Sequence, residues 1–152
     1  MRRLFCLAII SIFLTSCNAN QNTETIQATV PIQGTWKLLT GTLIEKGDTT
    51  VTDYTKTSEF IKIINDTHFA FLSHDLNKDS VASFSAGGGH YTLKDSSYTE
   101  HLEYCNAREW EGNNFDFTVT INNDTLTQKG IEKIDSLGVN RLNIEKYVRV
   151  KN

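Results

Sequence analysis

After Gly34 the chain divides into short runs rich in Val, Ile, Thr, Tyr and Phe, and the gaps hold only a few turn residues: EKGD, IND, LNKD, KDSS and NND. This spacing, a run about every 8 to 12 residues, constrains the fold more than any other feature of the sequence. Every connection is short, so sequence neighbours pair as an antiparallel meander. Strands are expected near 35–44, 49–53, 58–64, 67–73, 80–85, 89–94, 97–105, 114–122, 125–130 and 141–150. That makes eight to ten strands, depending on which of the weak runs pair. So many consecutive strands strain an open twisted sheet, and closure removes both edges. The expected fold is all-β, an up-and-down antiparallel barrel, with a two-sheet sandwich as the alternative. Residues 131–137, IEKIDSL, have room for a helical turn or two before Gly138.

Register is legible in residues 87–105, GGGHYTLKDSSYTEHLEYC. A two-residue turn at Asp95–Ser96 sets Leu93 against Tyr98, Tyr91 against Glu100 and His90 against His101. One face then collects Tyr91, Leu93, Tyr98, Leu102, Tyr104 and Glu100; the other collects His90, Thr92, Lys94, Thr99, His101 and Glu103. A three-residue turn mixes the two sets. A one-residue slip flips every side chain, so the pattern selects the shorter turn. His90, His101 and Glu103 fall on the wet face, without HxH or HExxH spacing, and no metal site is expected. Gly87–Gly89 precede a strand rather than a helix, which excludes a phosphate loop. They fit a bulge, a tight turn or a sharp barrel bend.

Glu100 is the exception on the apolar face. A carboxylate there must be hydrogen-bonded, paired or protonated. It either reaches water near the barrel mouth or serves as a polar anchor inside an apolar cavity. Elsewhere Phe69 and Phe71 alternate inward. So do Phe115, Phe117, Val119 and Ile121, and a turn at Asn123–Asp124 sets Leu126 beside Ile121 and carries Gln128 inward. Around Asn65–Asp66 two registers stay open: one turns Lys62 in with Phe60, the other turns Ile61 and Ile63 in.

The N-terminus bears on the compartment. Arg2 and Arg3 precede an apolar run, LFCLAIISIFL, from Leu4 to Leu14. A spanning helix needs about 20 such residues, so this run is read as a signal-peptide core. It ends in LTSC, Leu14 to Cys17, which resembles the processing site of bacterial lipoprotein signals. That resemblance implies removal of residues 1–16, a thioether diacylglycerol on Cys17, and acylation of the new amine, as by palmitate. Two lipid signals anchor a protein stably to a membrane surface without spanning it. Asn18 in place of aspartate implies the outer membrane of the cell envelope. Residues 17–33 are polar and read as a flexible tether, and 34–152 as the barrel domain. Of three cysteines, Cys6 leaves with the signal and Cys17 is lipidated, so Cys105 is left without an internal disulfide partner. The net charge of −3 and the lack of basic clusters argue against a nucleic-acid partner.

GTWKL, from Gly34 to Leu38, resembles the Gly-x-Trp opening of lipocalins and their calycin relatives, and NIEKYVRV supplies a late-strand arginine. With DTHFAF, GGGHYTL and YTEHLEY, nearly the whole domain is similar to bacterial lipocalin-like lipoproteins. The resemblance implies that Arg149 packs over Trp36 to close the barrel's narrow end. It also implies a small hydrophobic or amphipathic ligand held in the lumen. The expected lining comprises Phe69, Phe71, Tyr91, Tyr98, Glu100, Leu102, Phe115, Phe117, Gln128 and Tyr147. The alternative is a lumen filled by side chains, with an envelope protein bound through the rim, where NAREWEGNN exposes Trp110 beside Arg108. No nucleophile–base pair, nucleotide loop or metal quartet is present, so neither catalysis nor a cofactor is expected.

Overall fold

A computed structural model describes residues 30–78 and 83–151. Nine strands form, in sequence order: β1 (Gly34–Glu45), β2 (Asp48–Asp53), β3 (Ser58–Ile64), β4 (His68–Asp75), β5 (Phe84–Lys94), β6 (Ser97–Cys105), β7 (Asn114–Asn122), β8 (Thr125–Ile134) and β9 (Val139–Arg149). One helical turn, α1 (Tyr54–Thr57), joins β2 to β3, with Asp53 accepting from the Thr55 amide as its cap. Sequence neighbours pair antiparallel except β2 and β3, which both pair with β1, and β1 also pairs with β9, closing a barrel of eight strands. The ninth, β2, extends the free half of one β1 edge, whose other half pairs with β3.

The hairpin register agrees with the pattern argument: Leu93 faces Tyr98, Tyr91 faces Glu100 and His90 faces His101. The strand expected at 89–94 is the second half of the longer β5, whose middle is Gly87–Gly89; of the strand expected at 80–85, residues 80–82 lie outside the described residues and Phe84 and Ser85 open β5. Gly88 opposes Tyr104 while Gly89 opposes Leu102, so Glu103 is an extra residue in β6. This bulge inverts the alternation beyond it. Tyr104, expected inside, therefore turns out to solvent and is 69% exposed, while Cys105 turns in. The glycines allow this approach of backbones. A Cβ on Gly89 would collide with the His101 carbonyl oxygen, and one on Gly87 would lie 2.6 Å from the Phe71 ring. Gly89→Ala is therefore expected to cost about 3 kcal/mol in urea unfolding. An unchanged midpoint would show that the bulge is dispensable.

Of residues 131–137, only Asp135–Leu137 make a helical turn, a single 3-10 turn capped by Gly138. Strand β8 runs on to Ile134, because Ile131 to Ile134 pair with Val139 to Leu142 of β9, and only a short 3-10 turn follows. At the opposite end Trp36 is fully buried beneath Arg149, whose guanidinium carbon lies 4.0 Å from the indole centroid. The last residues of the expected tether belong to this closure. Ile32 is completely buried, its carbonyl accepts from the Trp36 indole N–H at 2.8 Å, and Arg149 donates to the Pro31 and Gln33 carbonyls. The closed end thus includes residues that precede Gly34. The expected signal segment, Cys17 and most of the tether lie outside the described residues.

Candidate functional site

The lumen is closed at the Trp36 end by Leu38, Ile64, Phe69, Tyr98, Val119 and Leu126, all buried. Toward the other end a cavity of about 240 Å³ remains. Its aromatic walls are Phe60 and Phe71, stacked at 5.7 Å, with Phe115, Phe117 and Tyr147; Ser85, Ala107 and Trp110 line it near the loops. The polar groups Lys62, Glu100 and Gln128 also border it and are 3%, 7% and 2% exposed. The two registers left open around Asn65 are resolved with Lys62 inward. The Asn65 side-chain oxygen accepts from the Thr67 and His68 amides, and the Asn65 amide donates to the His68 carbonyl. The turn is thus Asp66–Thr67, which pairs Ile64 with Phe69 and Lys62 with Phe71.

Lys62 Nζ donates to Glu100 at 2.6 Å and to Gln128 Oε1 at 3.0 Å. This contact is how the chain accommodates Glu100 in apolar surroundings. Burial pushes the Glu100 carboxyl above the usual carboxylate range, and Lys62 opposes the rise. The buried Tyr98 hydroxyl lies close to Glu100 but makes no hydrogen bond of good geometry among the described residues. Burial, then the charge of Glu100, drives its titration far above the ordinary phenol value, so it stays protonated. Higher in the lumen, Glu132 accepts from Arg141 Nε at 2.6 Å and from Asn143 at 2.8 Å. Glu145 accepts from the Tyr147 hydroxyl at 2.7 Å. Burial first, and then Glu145, raises the Tyr147 titration well above its normal value, which keeps that hydroxyl a donor.

Of the expected lining, Phe71, Glu100, Leu102, Phe115, Phe117, Gln128 and Tyr147 border the cavity. Phe69 and Tyr98 instead fill the closed half, and the hydroxyl of half-buried Tyr91 donates to the Asn65 carbonyl. Trp110 is not a free rim anchor. It is half-buried on Phe115, with Arg141 over its ring at 5.3 Å, because the 106–113 loop folds back over the mouth. His90 and His101 stack in parallel on the outer face at 4.2 Å, each with Nδ1 on an oxygen, of Glu103 and Asn114 respectively. No metal-binding group of three or more such side chains occurs among the described residues.

No protein-family model matches the chain, and no curated protein matches it.

The barrel is compatible with a calycin-like fold. The residues that the sequence reading passed over are Glu132, Arg141, Asn143 and Glu145, all on inward faces. A signal for the last two was present: strict alternation from Tyr147 along β9 turns Glu145 and Asn143 to the same side.

Proposed function

We propose that this chain is a lipid-anchored, lipocalin-like binding protein of the cell envelope that holds a small amphipathic ligand in its lumen without chemically altering it. The supporting observation is the unfilled space itself. Despite its many aromatics the lumen keeps a half-enclosed cavity, apolar on most sides with a few fixed polar groups. A 150 Å³ cavity accommodates benzene, so 240 Å³ suits a body of about ten heavy atoms. Long-chain lipids exceed that volume.

The test uses the full chain and 2-phenylethanol, a neutral aromatic of suitable size. Titration should saturate at one ligand per barrel and perturb Trp110, which borders the space. Leu102→Trp, which fills the cavity from β6, should abolish binding while unfolding stays cooperative. Absence of saturation in the unaltered chain would refute the cavity reading. Anchoring is tested separately: Cys17→Ala should shift the protein from the membrane to the soluble fraction, and mass spectrometry should find the unaltered chain diacylated.

A second reading is favoured by the outer wall. Phe84 and Tyr104 are 63% and 69% exposed, and Leu72 lines shallow depressions with each of them. Such a patch suits a protein partner in the envelope. Recovery of one stoichiometric partner that Tyr104→Ser and Phe84→Ser release would favour it.

A further inference from the structure

We propose that the lumen selects a cation: a small protonated amine on an aromatic or branched aliphatic body, its ammonium held by Glu145. This rests on reading the cavity as a ligand site and specifies the ligand's charge. Lys62 and Glu100 touch at 2.6 Å and are neutral as a unit, whichever atom carries the shared proton. Arg141 and Glu132 form a second neutral unit, also at 2.6 Å. Gln128 is uncharged. Glu145 is left over. Among the described residues no lysine, arginine or histidine nitrogen lies within 4.0 Å of it, and its one hydrogen-bond donor is the neutral Tyr147 hydroxyl. The cavity thus carries one net negative charge.

The placement of that charge suits an ammonium. Glu145 borders the cavity from β9, between Gln128 of β8 and Gly41 of β1. The Tyr147 and Phe60 rings lie 6.4 Å apart, and Phe60 stacks on Phe71. An amine at Glu145 therefore has aromatic faces for its body and for its charge. Desolvating a lone carboxylate is costly, and a cationic ligand offsets that cost where a neutral one does not. An anionic ligand meets three lining carboxylates, while Lys62, the lining cation, already donates to Glu100 and Gln128.

Three probes of nearly equal size separate the possibilities: 2-phenylethylamine, 2-phenylethanol and phenylacetate, titrated into the full chain at neutral pH and low salt. The amine should bind about tenfold tighter than the alcohol, as expected of a charge-assisted hydrogen bond, and phenylacetate weaker than either. Glu145→Gln should bring the amine-to-alcohol affinity ratio down to about one. If the alcohol saturates but the amine gains nothing over it, the charge selection is wrong and the cavity reading stands. If none of the three saturates, both fall. A ratio that survives Glu145→Gln would overturn the assignment to Glu145. Should that variant fail to fold, the ranking of the three probes on the unaltered chain decides alone: acid binding as tightly as amine ends the proposal.

Discussion

Replacing Lys62 with methionine should destabilise the barrel by about 3–5 kcal/mol at neutral pH, the largest loss expected from one surface-neutral change of similar length. The side chain is 3% exposed and supplies the hydrogen bonds of both Glu100 and Gln128. Methionine fills the volume but leaves a buried carboxylate without its cation. The cost is therefore an uncompensated charge, not a cavity. The pH dependence follows from the sign of the Glu100 shift, which is upward because of burial. A carboxyl raised in the folded state contributes stability that is complete below its unfolded value, about 4.3, and lost as pH rises through the folded value. Removing Lys62 takes away the contact that holds the rise in check, so the loss should grow from about pH 4 toward neutrality and shrink on acidification. Lys62→Met combined with Glu100→Gln removes both charges and should recover most of the stability. Urea unfolding of the single and double variants across pH measures all three effects. A single-variant loss below about 1 kcal/mol would mean that water reaches Glu100.

Trp36→Ala should cost about 3–5 kcal/mol and loosen the closed end. The indole is fully buried, lies under the Arg149 guanidinium, and donates to the Ile32 carbonyl across four residues. Truncation leaves a void, removes a stack worth about 0.5–2 kcal/mol, and frees Ile32 from its contact. Trp36→Phe keeps much of the volume and should lose far less. Hydrogen exchange provides the local readout. The Val150 amide, bonded to the Thr35 carbonyl at 2.8 Å, should exchange faster in Trp36→Ala, while amides at the mouth should change only with global stability. Equal acceleration everywhere would show that the closed end is no separate unit.

Much of the lumen was legible because hairpins are local. The Asp95–Ser96 turn separates apolar from polar residues over both flanking strands, and one slip would have mixed them. Phe115, Phe117 and Val119 alternate in the same way, and Gln128 followed once the Asn123–Asp124 turn was set. Legibility stopped where periodicity is broken. Tyr104 reads as inward in strict alternation, and it takes the Glu103 bulge to turn it out. Trp110 reads as an exposed loop residue because what covers it is not visible locally: the loop folds back on Phe115 of its own hairpin and meets Arg141 of β9, a distant strand.

Lys62 draws the line between the two kinds of information. The sequence by itself determined an all-β chain of short hairpins, most of the inward-facing aromatics, and a carboxylate at Glu100 that needed a partner. It did so because turn chemistry and period-two patterning act over a few residues. Only the tertiary structure decided which partner. Lys62 lies 38 residues from Glu100 and 66 from Gln128, and they meet because the sheet closes on itself. The same closure brings Glu145 to the cavity wall with no cation paired to it among the described residues. Charge balance inside a barrel is a property of the whole circumference, and no single hairpin contains it.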